Sequence, residues 1–212
     1  MHESHGTTPA EHAGFHHQGP LGHRFEDAAA WSQVFDDPAR AEWQRPDEVV
    51  AALVTRDDLA VGDLGAGTGY FSVRFAKAVP KGRVVGLDIE PTMVAYLNER
   101  AAKEGEPNLS AVAVDTEGGG MPGDLDLLFV CNTYHHIADR PAYFRRAAAN
   151  LAKGGRVAIV DFRVDSDRGP PKEHKLAPET VIAEMKAAGL ELVGQHDFLP
   201  DQYILVFAPP AS

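Results

Sequence analysis

From residue 58 to the end of the chain, short apolar runs alternate with longer segments in which apolar residues return every three or four positions. Two periods alternating in this way mark parallel strands joined by helices that pack over them. Strands are expected at residues 61–64, 83–88, 109–114, 125–131 and 156–162. The helix after the first strand places Phe71, Phe75, Ala78 and Val79 on one face, and a second helix is expected from Pro91 to about Lys103. Residues 125–131 are almost continuously apolar, as a central strand covered on both faces must be. The next helix opens at Asp139 and Pro141 and carries Phe144, Ala147, Ala148 and Leu151 inward. It is expected to close at Lys153-Gly154-Gly155, where glycine takes the left-handed conformation that ends helices. A polar loop, 165–175, leads to a last helix around Val181, Met185 and Ala188. Residues 191–196 and 203–207 are joined too tightly for a parallel crossover and form an antiparallel hairpin. The prediction is a doubly wound α/β fold with a mostly parallel, seven-stranded sheet ending in that hairpin.

Upstream the pattern changes. Residues 1–23 hold six of the ten histidines among Gly, Pro and Thr, with no hydrophobic period, and read as a flexible arm. In residues 24–57, Phe25, Trp31, Phe35 and Trp43 bring aromatic bulk that needs a surface to bury against. Helices are expected on either side of Asp36-Asp37-Pro38 and again over residues 47–53. The chain therefore divides into an arm (1–23), an N-terminal helical extension or lid (24–57) and one α/β domain (58–212).

Composition narrows the partners. The 212 residues suffice for one such domain with its extension. A net charge of −11 disfavours nucleic acid, whose binding requires cations that displace counterions from phosphates. No apolar run approaches the ~20 residues of a membrane span, and the start lacks the basic and apolar regions of a secretory signal. A cytoplasmic protein without membrane contact is expected. The single Cys131 excludes an internal disulfide and multi-thiolate metal sites; no metal site is expected in the domain. Clustered imidazoles in the arm bind nickel, zinc or copper only as a side property, because an unstructured arm imposes no geometry.

Candidate chemistry begins in the loop Asp63-Leu64-Gly65-Ala66-Gly67-Thr68-Gly69, between the first strand and its helix. The spacing is G-x-G-x-G with an acid two positions ahead. A dinucleotide fingerprint, G-x-G-x-x-G, would need glycine where Tyr70 stands. The segment DLGAGTGYFS resembles the first motif of class I S-adenosylmethionine-dependent methyltransferases, which implies a Rossmann-like methyltransferase fold and that cofactor. By this resemblance Gly65, Gly67 and Gly69 wrap the amino-acid and sulfonium part, and Asp63 meets the charged methionine end. Asp88, which ends the second strand nineteen positions after Gly69, would accept the ribose hydroxyls, with Ile89 beside it and Glu90 as substitute. Asp115, at the end of the third strand, either contacts the adenine amino group or closes a loop, and Met93 either lines the adenine pocket or belongs to the core. Asn132 joins the cofactor contacts after the fourth strand. The loop 116–124 departs from the longer Leu-Pro-rich stretch of many relatives, so contacts there do not carry over.

Ligands of open α/β sheets lie beyond the carboxyl ends of the strands. Two clusters sit there: Asn132-Thr133-Tyr134-His135-His136 and Asp161-Phe162-Arg163. The resemblance to small-molecule methyltransferases continues through CNTYHHIADRPAYFRRAAANLAKGGRVAIVDF. His135, with Tyr134 beside it, is the candidate to orient or deprotonate the acceptor; His136 would cap or pack, and purely structural roles for both histidines stay open. No N-P-P-Y-type tetrapeptide follows the fourth strand, so amino methylation of adenine or glutamine is unsupported. The expected function is methyl transfer to a small molecule. The alternatives are a non-catalytic binder of S-adenosylmethionine or S-adenosylhomocysteine and, further off, an NAD(P)-dependent oxidoreductase.

Overall fold

A computed structural model of the chain describes residues 36–210. The His-rich arm and Phe25, Trp31 and Phe35 fall outside the described residues. The extension contributes two short helices, α1 (Arg40–Gln44) and α2 (Pro46–Leu53). Arg45 between them is left-handed (φ 43°), and Pro46 starts α2 with φ already suited to a helix. The domain follows as β1 (Ala60–Leu64), α3 (Ser72–Ala78), β2 (Arg83–Asp88), α4 (Pro91–Glu104), β3 (Leu109–Ala113) and β4 (Leu125–Cys131). A single 3-10 turn, Tyr134–His136, then precedes α5 (Arg140–Ala148), β5 (Leu151–Phe162), a second such turn (Lys172–His174), α6 (Pro178–Ala187), β6 (Glu191–His196) and β7 (Gln202–Ala208).

The seven strands form one sheet in the order β3-β2-β1-β4-β5-β7-β6. Strands β1 to β5 run parallel, and β7 runs antiparallel to both β5 and β6. The expected fold class and closing hairpin are both present. Both faces of the sheet are apolar. Leu127 and Phe129 of β4, Ala158 and Val160 of β5, and Ile204 and Val206 of β7 join one core with α2 and α3. Their neighbours Leu128, Val130, Val157, Ile159, Leu205 and Phe207 join the opposite core with α5 and α6, as the two-residue period of a strand requires. Phe71, Phe75 and Phe129 meet in the first core, with Phe129 centroids 4.8 and 4.9 Å from the other two.

One boundary differs from the sequence reading. The helix expected to run past Leu151 ends at Ala148, and Leu151 already pairs with Leu125 as the start of a twelve-residue β5. Gly154 does adopt positive φ (80°), but inside an irregular stretch of strand, where the β4–β5 register shifts between Leu125 and Leu127. A Cβ on Gly155 would lie 2.5 Å from the Leu125 carbonyl oxygen. The glycine pair bends a strand against its neighbour instead of closing a helix.

No helix among the described residues is long and apolar enough to cross a membrane. Strand order reverses between β1 and β4, so the loops leaving them diverge at their carboxyl ends, where open α/β sheets bind their ligands.

Candidate active site

The loop after β1 turns back on β2: Gly65 and Ala66 donate to the Leu87 carbonyl, at 2.7 and 3.3 Å. Gly65 (φ 72°) touches the loop after β4, and a Cβ there would lie 2.1 Å from Thr133 Oγ1. Gly69 (φ 88°) leaves the space that Leu97 of α4 fills. Two of the three glycines thus serve chain packing and left-handed backbone together, while the Gly67 N–H points to Asp88 Oδ2, at 2.8 Å. The Glu90 N–H donates to Asp88 Oδ1 at 3.0 Å. Burial raises the Asp88 carboxyl above its ordinary value, against the opposing pull of these backbone donors. Beside it Ile89 is 55% exposed, a large apolar side chain left open at the tip of β2.

Asp63 is buried under the loop and accepts the Ser72 hydroxyl at 2.6 Å. Burial pushes its pKa up to about 6; the Ser72 bond and the Arg40 charge pull down, and Asp88 pushes up. Thr68 Oγ1 and the Tyr70 hydroxyl, both in or next to this loop, are buried without a hydrogen-bond partner. Tyr70 occupies the place where a dinucleotide loop needs glycine, and its ring contacts the guanidinium groups of Arg40 and Arg74, each 4.1 Å from the centroid.

Asp115 follows β3. Its Oδ1 accepts the N–H groups of Glu117 and Gly119, both at 2.8 Å, and these backbone bonds hold its carboxyl below the usual range. These bonds tie Asp115 to its own loop. Met93 is fully buried in the interior.

At the end of β4, Asn132 is left-handed (φ 56°), a conformation asparagine tolerates better than most residues. Its Oδ1 accepts from Gln202 Nε2 at 2.5 Å. The two clusters read separately from sequence meet here: His135 Nδ1 lies 3.0 Å from both carboxylate oxygens of Asp161, and the side chains are 6% and 3% exposed. Asp161 Oδ1 also accepts the Phe162 N–H at 2.8 Å. A carboxylate can only accept, so the hydrogen bond to Asp161 is donated by the Nδ1–H of His135.

The two histidines stand in different settings. No α-helix begins at His135; the chain makes one 3-10 turn, and α5 starts at Arg140, capped by Asp139. The His136 ring lies 4.1 Å from that of His135 and is the more exposed of the two. Tyr134 is not brought to the dyad. Its ring is fully buried on Phe144 (centroids 5.2 Å), and its hydroxyl donates to Glu184 of α6 at 2.8 Å, in a cluster that Arg140 completes. That geometry gives Tyr134 a packing role.

Sequence reasoning missed a line of buried polar groups from the extension. Gln44 Nε2 donates to Gln202 Oε1 at 2.8 Å and reaches Cys131 Sγ at 3.1 Å, while Arg40 Nε donates to Gln44 Oε1. Both glutamines have no exposed surface. Burial pushes the Cys131 thiol up to about 12, so it is no nucleophile. Arg100 of α4 joins Asp36 (3.0 and 2.9 Å) to the Thr68 carbonyl (3.0 Å), tying the extension to the glycine loop as well. Trp43 packs on Phe162, with centroids 5.7 Å apart, below Arg168. The only sequence signal for these contacts was the aromatic density of the extension, since a glutamine next to a tryptophan looks like any surface residue.

Known proteins resemble this chain in sequence and fold. A malonyl-[acyl-carrier protein] O-methyltransferase of Ilyobacter polytropus is 32% identical over 132 residues, which cover 62% of this chain and 48% of that protein. An aklanonic acid methyltransferase of a Streptomyces is 29% identical, covering 58% of each chain. The chain thus spans about half the length of these curated relatives. Among solved structures, a S-adenosylmethionine-dependent methyltransferase from Aquifex aeolicus superposes with a TM-score of 0.79 at 23% identity, covering 85% of this chain and 97% of that one, which establishes the shared fold. Residues 55–196, from the turn before β1 to the end of β6, match the methyltransferase domain family, and the chain belongs to it.

Proposed function

We propose that the crevice at the carboxyl ends of β1, β2 and β4 binds S-adenosylmethionine and that the protein transfers its methyl group to a small organic acceptor. The observation that carries this reading is the tip of β2, where a carboxylate fixed by loop amides stands next to an exposed isoleucine. Asp88 keeps lone pairs beyond those used by Gly67 and Glu90, enough for two ribose hydroxyls. Ile89 offers the apolar face an adenine ring needs. In this reading Asp63 accepts from the methionine ammonium; the Thr68 and Tyr70 hydroxyls, buried without a partner, lie in and just after the glycine loop. Asn132 belongs to the wall formed by the loop after β4. The donor set suits a nucleoside with a zwitterionic tail, and Tyr70 fills the place a dinucleotide's pyrophosphate loop would use.

When bound, the cofactor supplies a methyl group on a sulfonium, already activated for in-line displacement. The chain's own task is then to hold the acceptor in line and exclude water. His135 is the base: with Nδ1–H donated to Asp161, its Nε2 takes the proton from an acceptor O–H or N–H, and Asp161 stabilises the resulting imidazolium. The relatives' names give malonyl-[acyl-carrier protein] and aklanonic acid as their own acceptors, and small molecules bearing acidic O–H groups are the first class to test here.

The experiment is transfer of label from methyl-labelled cofactor to pools of small hydroxy, carboxy and amino compounds. Label appearing in an organic product, and lost in His135→Ala, supports the reading. No transfer to any pool by a protein that binds S-adenosylhomocysteine would favour the non-catalytic binder.

A further inference from the structure

We infer that Asn132 is a fixed hydrogen-bond donor to the methyl acceptor, its sense set from the N-terminal extension, and that this donor selects oxygen acceptors over amines. The inference rests on the transfer reaction proposed above and names the kind of atom that receives the methyl group.

Asn132 ends a line of three amides that starts at a cation. Arg40 Nε donates to Gln44 Oε1, Gln44 Nε2 donates to Gln202 Oε1 at 2.8 Å, and Gln202 Nε2 donates to Asn132 Oδ1. An amide can be turned end for end, but a guanidinium has no lone pair to offer. Gln44 must therefore present its oxygen to Arg40 and its nitrogen to Gln202, and each amide hands the same sense to the next. Both glutamines have no exposed surface, so bulk water does not interrupt the line. The Oδ1 of Asn132 is thereby committed, and Nδ2 is the end left over. Among the described residues Nδ2 bonds to no protein group, and in this half-buried residue it is not sealed in the interior. Asn132 also stands beside the dyad: its N–H donates to the Val160 carbonyl at 2.9 Å, and the next residue of β5 is Asp161, which holds His135.

The sense of that last amide has a chemical consequence. A hydroxyl oxygen carries one proton and two lone pairs. Its O–H donates to His135, one lone pair accepts the Nδ2–H of Asn132, and the other remains for the methyl group. As the proton passes to His135, the oxygen's pair forms the O–C bond and the pair of the broken C–S bond stays on sulfur, leaving a neutral thioether. A carboxylate oxygen satisfies the same donor and needs no base. A neutral amine has a single lone pair, and the methyl group takes it. Nothing then answers Asn132, and two N–H groups face each other. A donor left unanswered out of water costs a factor of about 10 to 100.

The test uses matched pairs whose amines are neutral near pH 7.5, salicylate with anthranilate and 3-hydroxybenzoate with 3-aminobenzoate, and wider pools of hydroxy compounds with their amino counterparts. Labelled cofactor reports transfer by the full chain, and calorimetry on its S-adenosylhomocysteine complex reports binding without turnover. Wild type should favour the hydroxy member at least about 10-fold in both. Asn132→Gly removes the donor at a backbone position (φ 56°) that glycine adopts freely. It should abolish the preference while S-adenosylhomocysteine affinity stays within about twofold. Gln202→Glu offers Asn132 only lone pairs and turns its amide round, so the preference should fall about 10-fold or reverse; Asn132→Gly carries the test should that variant not fold. Equal loss for both members of a pair in Gln202→Glu marks a packing role and overturns the inference. Label on nitrogen or carbon in wild type, or a preference that survives Asn132→Gly, overturns it as well. S-adenosylhomocysteine affinity that falls in step with transfer would assign Asn132 to the cofactor and overturn it too. No transfer to any compound by a protein that binds S-adenosylhomocysteine defeats the transfer reading itself, which separates the two failures.

Discussion

Replacing Asp63 by asparagine should make the ligand-free protein more stable near neutral pH while disabling its site. Asp63 is buried, and its pKa stands at about 6 against 3.8 for the exposed group, chiefly because burial penalises the charge. Between those values the folded protein holds a proton that the unfolded chain has released. Stability therefore falls as pH rises through about 4 to 6 and stays lower above. The gap corresponds to about 3 kcal/mol at pH 7.5 and to about 1 kcal/mol at pH 4.5. Asparagine keeps an acceptor for the Ser72 hydroxyl but makes a weaker, uncharged bond, so the net gain expected for Asp63→Asn is about 1–3 kcal/mol at pH 7.5, shrinking by about 2 kcal/mol at pH 4.5. The groups that tune this balance are Ser72 and Arg40, which favour the carboxylate, and Asp88, which opposes it. Urea denaturation of both proteins at the two pH values measures the effect, with equal m-values as the check on two-state behaviour. An Asp63→Asn protein less stable than wild type at pH 7.5, or a difference that does not change with pH, would refute the reasoning.

Three further outcomes are expected. Asp88→Ala should weaken S-adenosylhomocysteine about 10- to 100-fold in a calorimetric titration with an unchanged circular dichroism spectrum, because its partners are loop amides at a strand tip. His135→Ala and Asp161→Asn should each lower kcat about 10²- to 10⁴-fold in the transfer assay while leaving cofactor affinity in place. Tyr134→Phe should instead cost about 1–2 kcal/mol in urea denaturation through its lost bond to Glu184, with kcat held, as befits a packing residue.

The fold was legible because it rests on short-range periods. Strands covered on both faces announce themselves as continuous apolar runs, as in residues 125–131, and the hairpin follows from the length of its connection alone. The pair Gly154-Gly155 was ambiguous because a helix end and a strand irregularity both call for positive φ, and only the pairing of Leu151 with Leu125 decides between them. The proposed cofactor loop stands out in the sequence through its G-x-G-x-G spacing, and Asp88 through its place at the end of a strand. The proposed transfer dyad stands in the sequence only as separate pieces. His135 and Asp161 are 26 positions apart, and nothing local says that they meet. Tyr134 and His135 are neighbours in sequence, but a 3-10 turn sends one into the core and the other to Asp161. Gln44 and Gln202, 158 positions apart, carry no periodic signal, since a buried amide is recognisable only through its partner.

The central claim is that this crevice is built for a methyl donor and not for a nicotinamide dinucleotide. Titration of the full chain with S-adenosylhomocysteine and with NAD, each by calorimetry, tests it most directly. The account predicts one-to-one binding of S-adenosylhomocysteine, weakened in Asp88→Ala, and no measurable heat with NAD. Saturable NAD binding with none for S-adenosylhomocysteine would contradict it.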